Sequence, residues 1–179
     1  MLKISKILVG ISLCLLITFF GGNWDSLSLF AQAEEMSYDC NLPEEIAITF
    51  LEGECREKTL EEPETFYRYY TLNDDGTEKY KFGRYLTTDK FDNNGEVIIK
   101  LALDQCWGNK ANLIETVTLP EGTTVYQGIT GSQNPPECYP GGGQQTFIVD
   151  SRDTDIMWSQ GEKIEETYSK CETSLKCTE

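Results

Sequence analysis

Short runs of alternating or continuous apolar residues, broken by turn-forming residues, divide this chain into several predicted strands. Phe66-Tyr67-Arg68-Tyr69-Tyr70-Thr71 reads as a strand, Asn73-Asp74-Asp75-Gly76 as a turn, and Lys79-Tyr80-Lys81-Phe82 as the returning arm of a hairpin. That arm leads into Gly83-Arg84-Tyr85-Leu86-Thr87-Thr88. After the turn Asp92-Asn93-Asn94-Gly95, the segment Glu96 to Leu103 fits helix and strand equally, because Val97, Ile98, Ile99, Leu101 and Leu103 satisfy both periods. Two further strands, Leu113 to Leu119 and Thr123 to Thr130, are joined by Pro120-Glu121-Gly122, and a last one runs from Thr146 to Val149. Before these, Pro43 to Leu51 reads as a short amphipathic helix and the Glu-rich stretch to Glu64 as a solvated connector. After them, Asp155 to Lys170 reads as a helix packed through Ile156, Trp158 and Ile164. Many short strands with one or two helices make an α+β or mostly β domain.

The amino terminus changes the picture of where this domain works. Lys3 and Lys6 precede an apolar run from Ile7 to Phe20, and Ala31-Gln32-Ala33 is a small-x-small cleavage pattern, so residues 1–33 read as a signal peptide and the protein as secreted, extracellular or periplasmic. The apolar run is short for a membrane anchor, and Leu13-Cys14 argues against a lipoprotein site. Removal of Lys3, Lys6 and Asp25 leaves 13 basic against 29 acidic side chains in residues 34–179. Such an acidic surface argues against nucleic acid and anionic membranes as partners, because phosphate binding runs on Lys and Arg, and still leaves room for one local basic pocket. The remaining chain divides into 34–64, an amino-terminal helix and connector; 65–150, the core; and 151–179, a carboxy-terminal helix and disulfide-closed tail.

Six cysteines remain after residue 33: Cys40, Cys55, Cys106, Cys138, Cys171 and Cys177. An even number in an exported chain predicts three disulfides. Pairing of neighbours (Cys40 with Cys55, Cys106 with Cys138, Cys171 with Cys177) is the simplest expectation. The chain has no histidine and no Cys-x-x-Cys pair, so no zinc site of the usual kinds is expected. Ser-His-Asp and Cys-His hydrolases, histidine-dependent nucleases and His-ligated metal enzymes are excluded by the same absence. Catalysis here would run on carboxylates, amides, hydroxyls, Arg or Lys.

Three segments offer such chemistry. Arg68, flanked by four aromatics, is a partly desolvated donor fork suited to phosphate, or an edge-strand Arg paired with Glu64 or Glu62. Tyr85 with Thr87 and Thr88 sets a flat ring beside hydroxyls. Pro140-Gly141-Gly142-Gly143-Gln144-Gln145 combines a backbone free to take positive φ and approach a ligand closely with two amides at a strand mouth. Each segment also fits a purely structural strand or a flexible turn.

The order of these segments resembles the ADP-ribosyltransferase-like fold, and more narrowly the TNT-type NAD glycohydrolases, which include a secreted necrotising toxin and fungal surface NADases. Their Arg-aromatic pair is matched by Arg68-Tyr69, their Gly-Arg-aromatic-Leu segment by Gly83 to Leu86, and their Pro-Gly-Gly-Gly-x-Gln by Pro140 to Gln145. The match covers residues 66–149. It departs from the family in a longer spacing from Arg68 to Tyr85, which the hairpin at Asn73-Gly76 fills, and in the missing histidine.

The resemblance implies a small split sheet, disulfide-stapled, that hydrolyses the nicotinamide-ribose bond of NAD or NADP with no cofactor beyond that substrate and no metal. It implies Arg68 on the pyrophosphate, Tyr69 and Tyr85 packing nicotinamide and ribose, Thr87 contacting ribose or amide, Gly142 and Gly143 close to substrate, and Gln145 on the ribose hydroxyls. Gln144 is the rival of Gln145, because adjacent strand residues face opposite ways. A dinucleotide is the expected partner, with an immunity protein of unknown identity open. Two other functions stand beside this one. A non-enzymatic binding domain would leave Arg68, Tyr85 and Gln145 scattered or on a flat face. An ADP-ribosyltransferase acting on a macromolecule would need a carboxylate near Gln145, with Asp150 or Glu137 as candidates.

Overall fold

A computed structural model describes residues 40–168 and Cys171. Residues 1–33, read from the sequence as a signal peptide, and Cys177 lie outside the described residues. Helix α1 (Glu44–Ala47) is followed by a 3-10 turn (Leu51–Gly53), strand β1 (Arg56–Thr59) and the long strand β2 (Glu64–Leu72). The connector expected up to Glu64 is therefore partly strand, because β1 finds an antiparallel partner in β6 (Thr124–Ile129), with Arg56 opposite Gln127 and Thr59 opposite Thr124. The hairpin arm is only β3 (Glu78–Lys79), and β4 is Tyr85–Leu86.

The ambiguous segment is helix α2 (Asn94–Lys100). Its start is decided by Asn93, whose side chain accepts from the Glu96 N–H at 3.0 Å. Val97 and Ile98 are buried while Ile99 faces solvent, a helical rather than alternating pattern.

Two antiparallel sheets form, in the orders β1-β6-β7-β4 and β3-β2-β5-β8, with β5 at Leu113–Leu119, β7 at Gln144–Ile148, β8 at Met157–Trp158, and β9 (Glu162–Lys163) also on β5. Among the described residues one backbone bridge joins them. Tyr67 and Thr87 exchange both backbone hydrogen bonds, at 2.8 and 3.0 Å, and beyond that bridge β2 and β4 part. The α+β class predicted from the strand count is the class observed. One core packs Phe66, Val117 and Leu119 of one sheet on Leu86, Val125 and Ile148 of the other. A second packs Tyr69 and Ile114 on Val97 and Ile98 of α2, and a third seats Ile46, Ala47 and Phe50 on Tyr126 and Phe147.

The helix expected from residue 155 is absent among the described residues. The tail instead covers the edge of β5: Ser159 N–H donates to the Thr116 carbonyl at 2.9 Å, and Thr116 N–H donates to Ser159 Oγ at 2.9 Å. An unpaired edge beside a core strand is a liability that this covering removes. The expected packing residues are nonetheless right, since Ile156 is buried and Trp158 and Ile164 pack on the cores.

Of the expected disulfides, Cys40–Cys55 forms, with Cα atoms 5.0 Å apart. Cys138 pairs with Cys171, Cα atoms 5.8 Å apart, which overturns the pairings with Cys106 and Cys177. The tail's path is the reason. Buried Asn94 accepts from the N–H groups of Thr167 and Tyr168 at 2.8 and 3.0 Å, and this holds the chain beside the loop that carries Cys138. Cys106 is also disulfide-bonded.

Candidate functional site

Where β2 and β4 part, the structure encloses a cavity of about 290 Å³. Arg68, Tyr69, Tyr85, Thr87 and Gln145, predicted from three separate segments, all line it. No Asp or Glu does.

Gln145 forms the buried end, 7% exposed. Its Nε2 donates to Thr49 Oγ1 at 2.8 Å, and that hydroxyl donates its single proton to the Ile46 carbonyl at 2.7 Å. Thr49 can only accept from Gln145, so the amide nitrogen is turned to Thr49 and the amide oxygen away from it. Gln144 is exposed, and its N–H donates to Asp89 Oδ2 at 2.7 Å. The strand register thus gives the cavity to Gln145. Thr130 Oγ1, on the same wall, is buried without a hydrogen-bond partner. Thr87 Oγ1 accepts from Asp89 N–H at 2.9 Å and keeps its proton to give.

The glycine loop serves this site indirectly. Gly141 and Gly143 N–H groups donate to the Ile99 and Lys100 carbonyls at the end of α2, at 3.1 and 2.9 Å, and Gly142 N–H donates to the Thr130 carbonyl at 2.9 Å. Gly142 and Gly143 do not line the cavity; the close approach that their sequence predicted is to the protein's own backbone. At Gly141 (φ +73°) a Cβ would run into the carbonyl oxygens of Thr130 and Gly131, whereas at Gly142 (φ +93°) it would meet open space. Gly142→Ala is expected to cost only the left-handed penalty, about 1–2 kcal/mol. Gly141→Ala adds a collision with backbone that cannot yield, for about 3 kcal/mol or more; urea unfolding of both variants checks the difference.

Arg68 sits in the split itself. Its Nη1 donates to the Tyr85 carbonyl at 2.8 Å, and its Nη2 and Nε donate to the Tyr80 carbonyl at 2.8 and 3.3 Å. Gly83 makes room for the guanidinium, since a Cβ there would overlap it. Neither Glu62 nor Glu64 is its partner; Glu64 pairs with Lys58. Three of five N–H donors are used, which leaves two. Tyr69 is more structural than expected: its ring leans on Phe91, with centroids 5.7 Å apart, and its hydroxyl accepts from the Phe91 N–H at 2.6 Å. Burial pushes that phenol up to about 12. Tyr85 lies 5.2 Å from the Phe147 ring and keeps its own ring on the cavity wall.

Behind Arg68, directly across the strand pair, stands Glu115. It is 2% exposed, neither carboxyl oxygen has a hydrogen-bond partner, and Lys81 Nζ stands 3.7 Å away. Burial pushes its carboxyl up to about 7, against the pull of Lys81 and Arg68, and burial likewise lowers Arg68 to about 10, against the pull of Glu115. Between the ordinary value of 4.5 and about 7 the folded protein holds a proton that the unfolded chain has released. Stability therefore falls as pH rises through that window, by about 3 kcal/mol, and levels off above it. Glu115→Gln is expected to flatten this slope and to be more stable than the wild type at pH 8; thermal midpoints from pH 4 to pH 8 test this.

Sequence reasoning missed Thr49, Thr130, Trp107 and Glu115. None stands in a motif, and each arrives at the site only through the chain's path in space.

Neither a family model nor a curated protein matches this sequence. Among solved structures, Rhs1-CT in complex with its cognate immunity protein RhsI1 aligns with 62% of this chain and 82% of that one, at 16% identity and a TM-score of 0.39. Tne2 in complex with Tni2 aligns with 65% of this chain and 98% of that one, at 17% identity and a TM-score of 0.53. The likeness to Tne2 is one of fold: nearly the whole of that chain finds its counterpart in this α+β architecture of two curled antiparallel sheets.

Proposed function

We propose that this protein is a secreted NAD glycohydrolase that hydrolyses the bond between nicotinamide and ribose. The observation that carries the reading is that Arg68, Tyr85, Thr87 and Gln145, scattered over the sequence, line one cavity in the split between the sheets. A binding module gives no reason for that convergence.

In this reaction the bond from ribose C1′ to the nicotinamide nitrogen breaks, its electron pair leaves with neutral nicotinamide, and positive charge builds on the ribose. Water then adds to C1′ and releases its proton to solvent. The two spare N–H groups of Arg68 hold the pyrophosphate. Tyr85 packs the nicotinamide or ribose ring, and Thr87 donates to the amide or a ribose hydroxyl. The outward amide oxygen of Gln145 accepts from a ribose hydroxyl and places its negative dipole beside the developing charge. Among the described residues no carboxylate stands on the wall to activate a macromolecular acceptor, which favours water as the acceptor; Asp150 and Glu137 are both outside the cavity lining. Tne2 is solved with Tni2 bound, and a cognate protein partner of the immunity type belongs to the same proposal.

Product analysis tests the reaction class. Free nicotinamide and free ADP-ribose in equal amounts are expected; ADP-ribose retained on protein or nucleic acid would mark a transferase instead.

A further inference from the structure

The cavity has a direction. Gln145 and Thr49 mark the closed end; Thr87 and Tyr85 follow along β4; Arg68 ties Tyr85 to Tyr80; and the Tyr80 hydroxyl donates to the Trp107 carbonyl at 2.6 Å. The two ends differ in exposure, 7% at Gln145 against 43% at Tyr80 and 53% at Trp107, and both of these aromatics line the cavity. At about 290 Å³ the cavity stands at the small end of ligand sites, which span about 300–1,000 Å³. It encloses a base and its sugar but not a whole dinucleotide, so half of such a substrate must lie on the open rim.

The two rim aromatics are rigidly presented. Trp107 ends a 3-10 turn (Gln105–Trp107) in which Asp104 Oδ1 accepts from Cys106 N–H at 2.9 Å, Gln105 N–H donates to Tyr139 Oη at 3.2 Å, and Cys106 is disulfide-bonded. Tyr80 is held at φ +66°, a strained value for a side chain of this size, by bonds at both its carbonyl and its hydroxyl. Lys79 Nζ stands 5.5 Å from the Tyr80 ring centre, so this rim of an acidic protein also carries a cation. Exposed, immobilised aromatic faces beside a cation suit a nucleobase and its phosphate.

We propose that Tyr80 and Trp107 form a stacking subsite for the purine ring of the dinucleotide, at the open end of the cavity whose closed end holds Gln145. This assignment rests on the proposed hydrolysis of NAD for its substrate, but the subsite can be read without turnover. Calorimetric titration of the oxidised, exported protein with adenosine monophosphate is expected to show saturable binding, weakened roughly 5- to 100-fold in Trp107→Ala and retained in Trp107→Phe. In turnover, Trp107→Ala is expected to raise the KM for NAD by a similar factor and to leave kcat/KM for nicotinamide mononucleotide, which has no purine, unchanged. Absence of adenosine monophosphate binding by the wild type, equal binding by Trp107→Ala, or equal losses on NAD and nicotinamide mononucleotide would overturn the assignment. Binding that depends on Trp107 with no turnover of NAD by any variant would uphold the subsite while sinking the hydrolase.

Discussion

Gln145→Ala is expected to lower nicotinamide release by about 10²- to 10³-fold, the usual effect of removing one preorganised polar group from a transition-state site. Gln144→Ala is expected to leave the rate near that of the wild type. The contrast follows from one register in β7, which turns Gln145 to Thr49 inside the cavity and Gln144 to solvent. Thr49→Ala supplies an intermediate case, because it frees the Gln145 amide to rotate without removing it. The loss in Gln145→Ala should appear in kcat with thermal stability nearly unchanged; equal rates for the two Gln variants would mean that neither amide touches the reacting sugar.

Arg68→Met is expected to lose both stability and activity, about 3 kcal/mol of the first. It leaves the Tyr80 and Tyr85 carbonyls without their donor and leaves buried Glu115 with Lys81, 3.7 Å away, as its remaining cation neighbour among the described residues. Adding Glu115→Gln to that variant should restore part of the stability at pH 8, where the wild-type carboxyl is charged, and little of it at pH 4. Activity should stay low in the double variant, because the two donors offered to the pyrophosphate are still missing. Arg68→Lys keeps a charge but not a fork able to hold two carbonyls, so it should behave like Arg68→Met in stability. Denaturant unfolding and nicotinamide release measured on the same four proteins separate the two effects. Full recovery of activity in the double variant would reduce Arg68 to a partner for Glu115.

The pattern of the sequence carried much of this fold. Strands β2, β5, β6 and β7 stand where the apolar runs put them, because each strand buries at least one face and writes that face into its sequence. The tail was harder. The helix expected over Asp155 to Lys170 rests on Ile156, Trp158 and Ile164 as its packing residues, yet Ile156 and Trp158 turn inward and Met157 outward, a period of two that belongs to a strand. Helix α2 was equivocal by periodicity, and only the Asn93 cap separates the two readings. The pairing of Cys138 with Cys171 depends on where the tail travels, and no spacing encodes that.

The site was legible in its parts. Arg68, Tyr85, Thr87 and Gln145 each stand out in the sequence by their chemistry, and the split between the sheets places them together. What the motif misled about was the glycines. Their freedom is spent on seating the loop against the end of α2 and residues 130–131, so the loop positions Gln145 rather than cradling a ligand. Glu115 was invisible because nothing local marks a buried carboxyl; it is recognised only through its place opposite Arg68 in the β2–β5 register.

The central claim is that the cavity cleaves NAD, and the direct measurement is nicotinamide release from NAD by the folded, fully oxidised protein beside Gln145→Ala. Sustained release by the wild type with matching free ADP-ribose, and its loss in a Gln145→Ala variant that melts at the same temperature, is the predicted result. No release by the folded wild type, or release unaffected by Gln145→Ala, would contradict it.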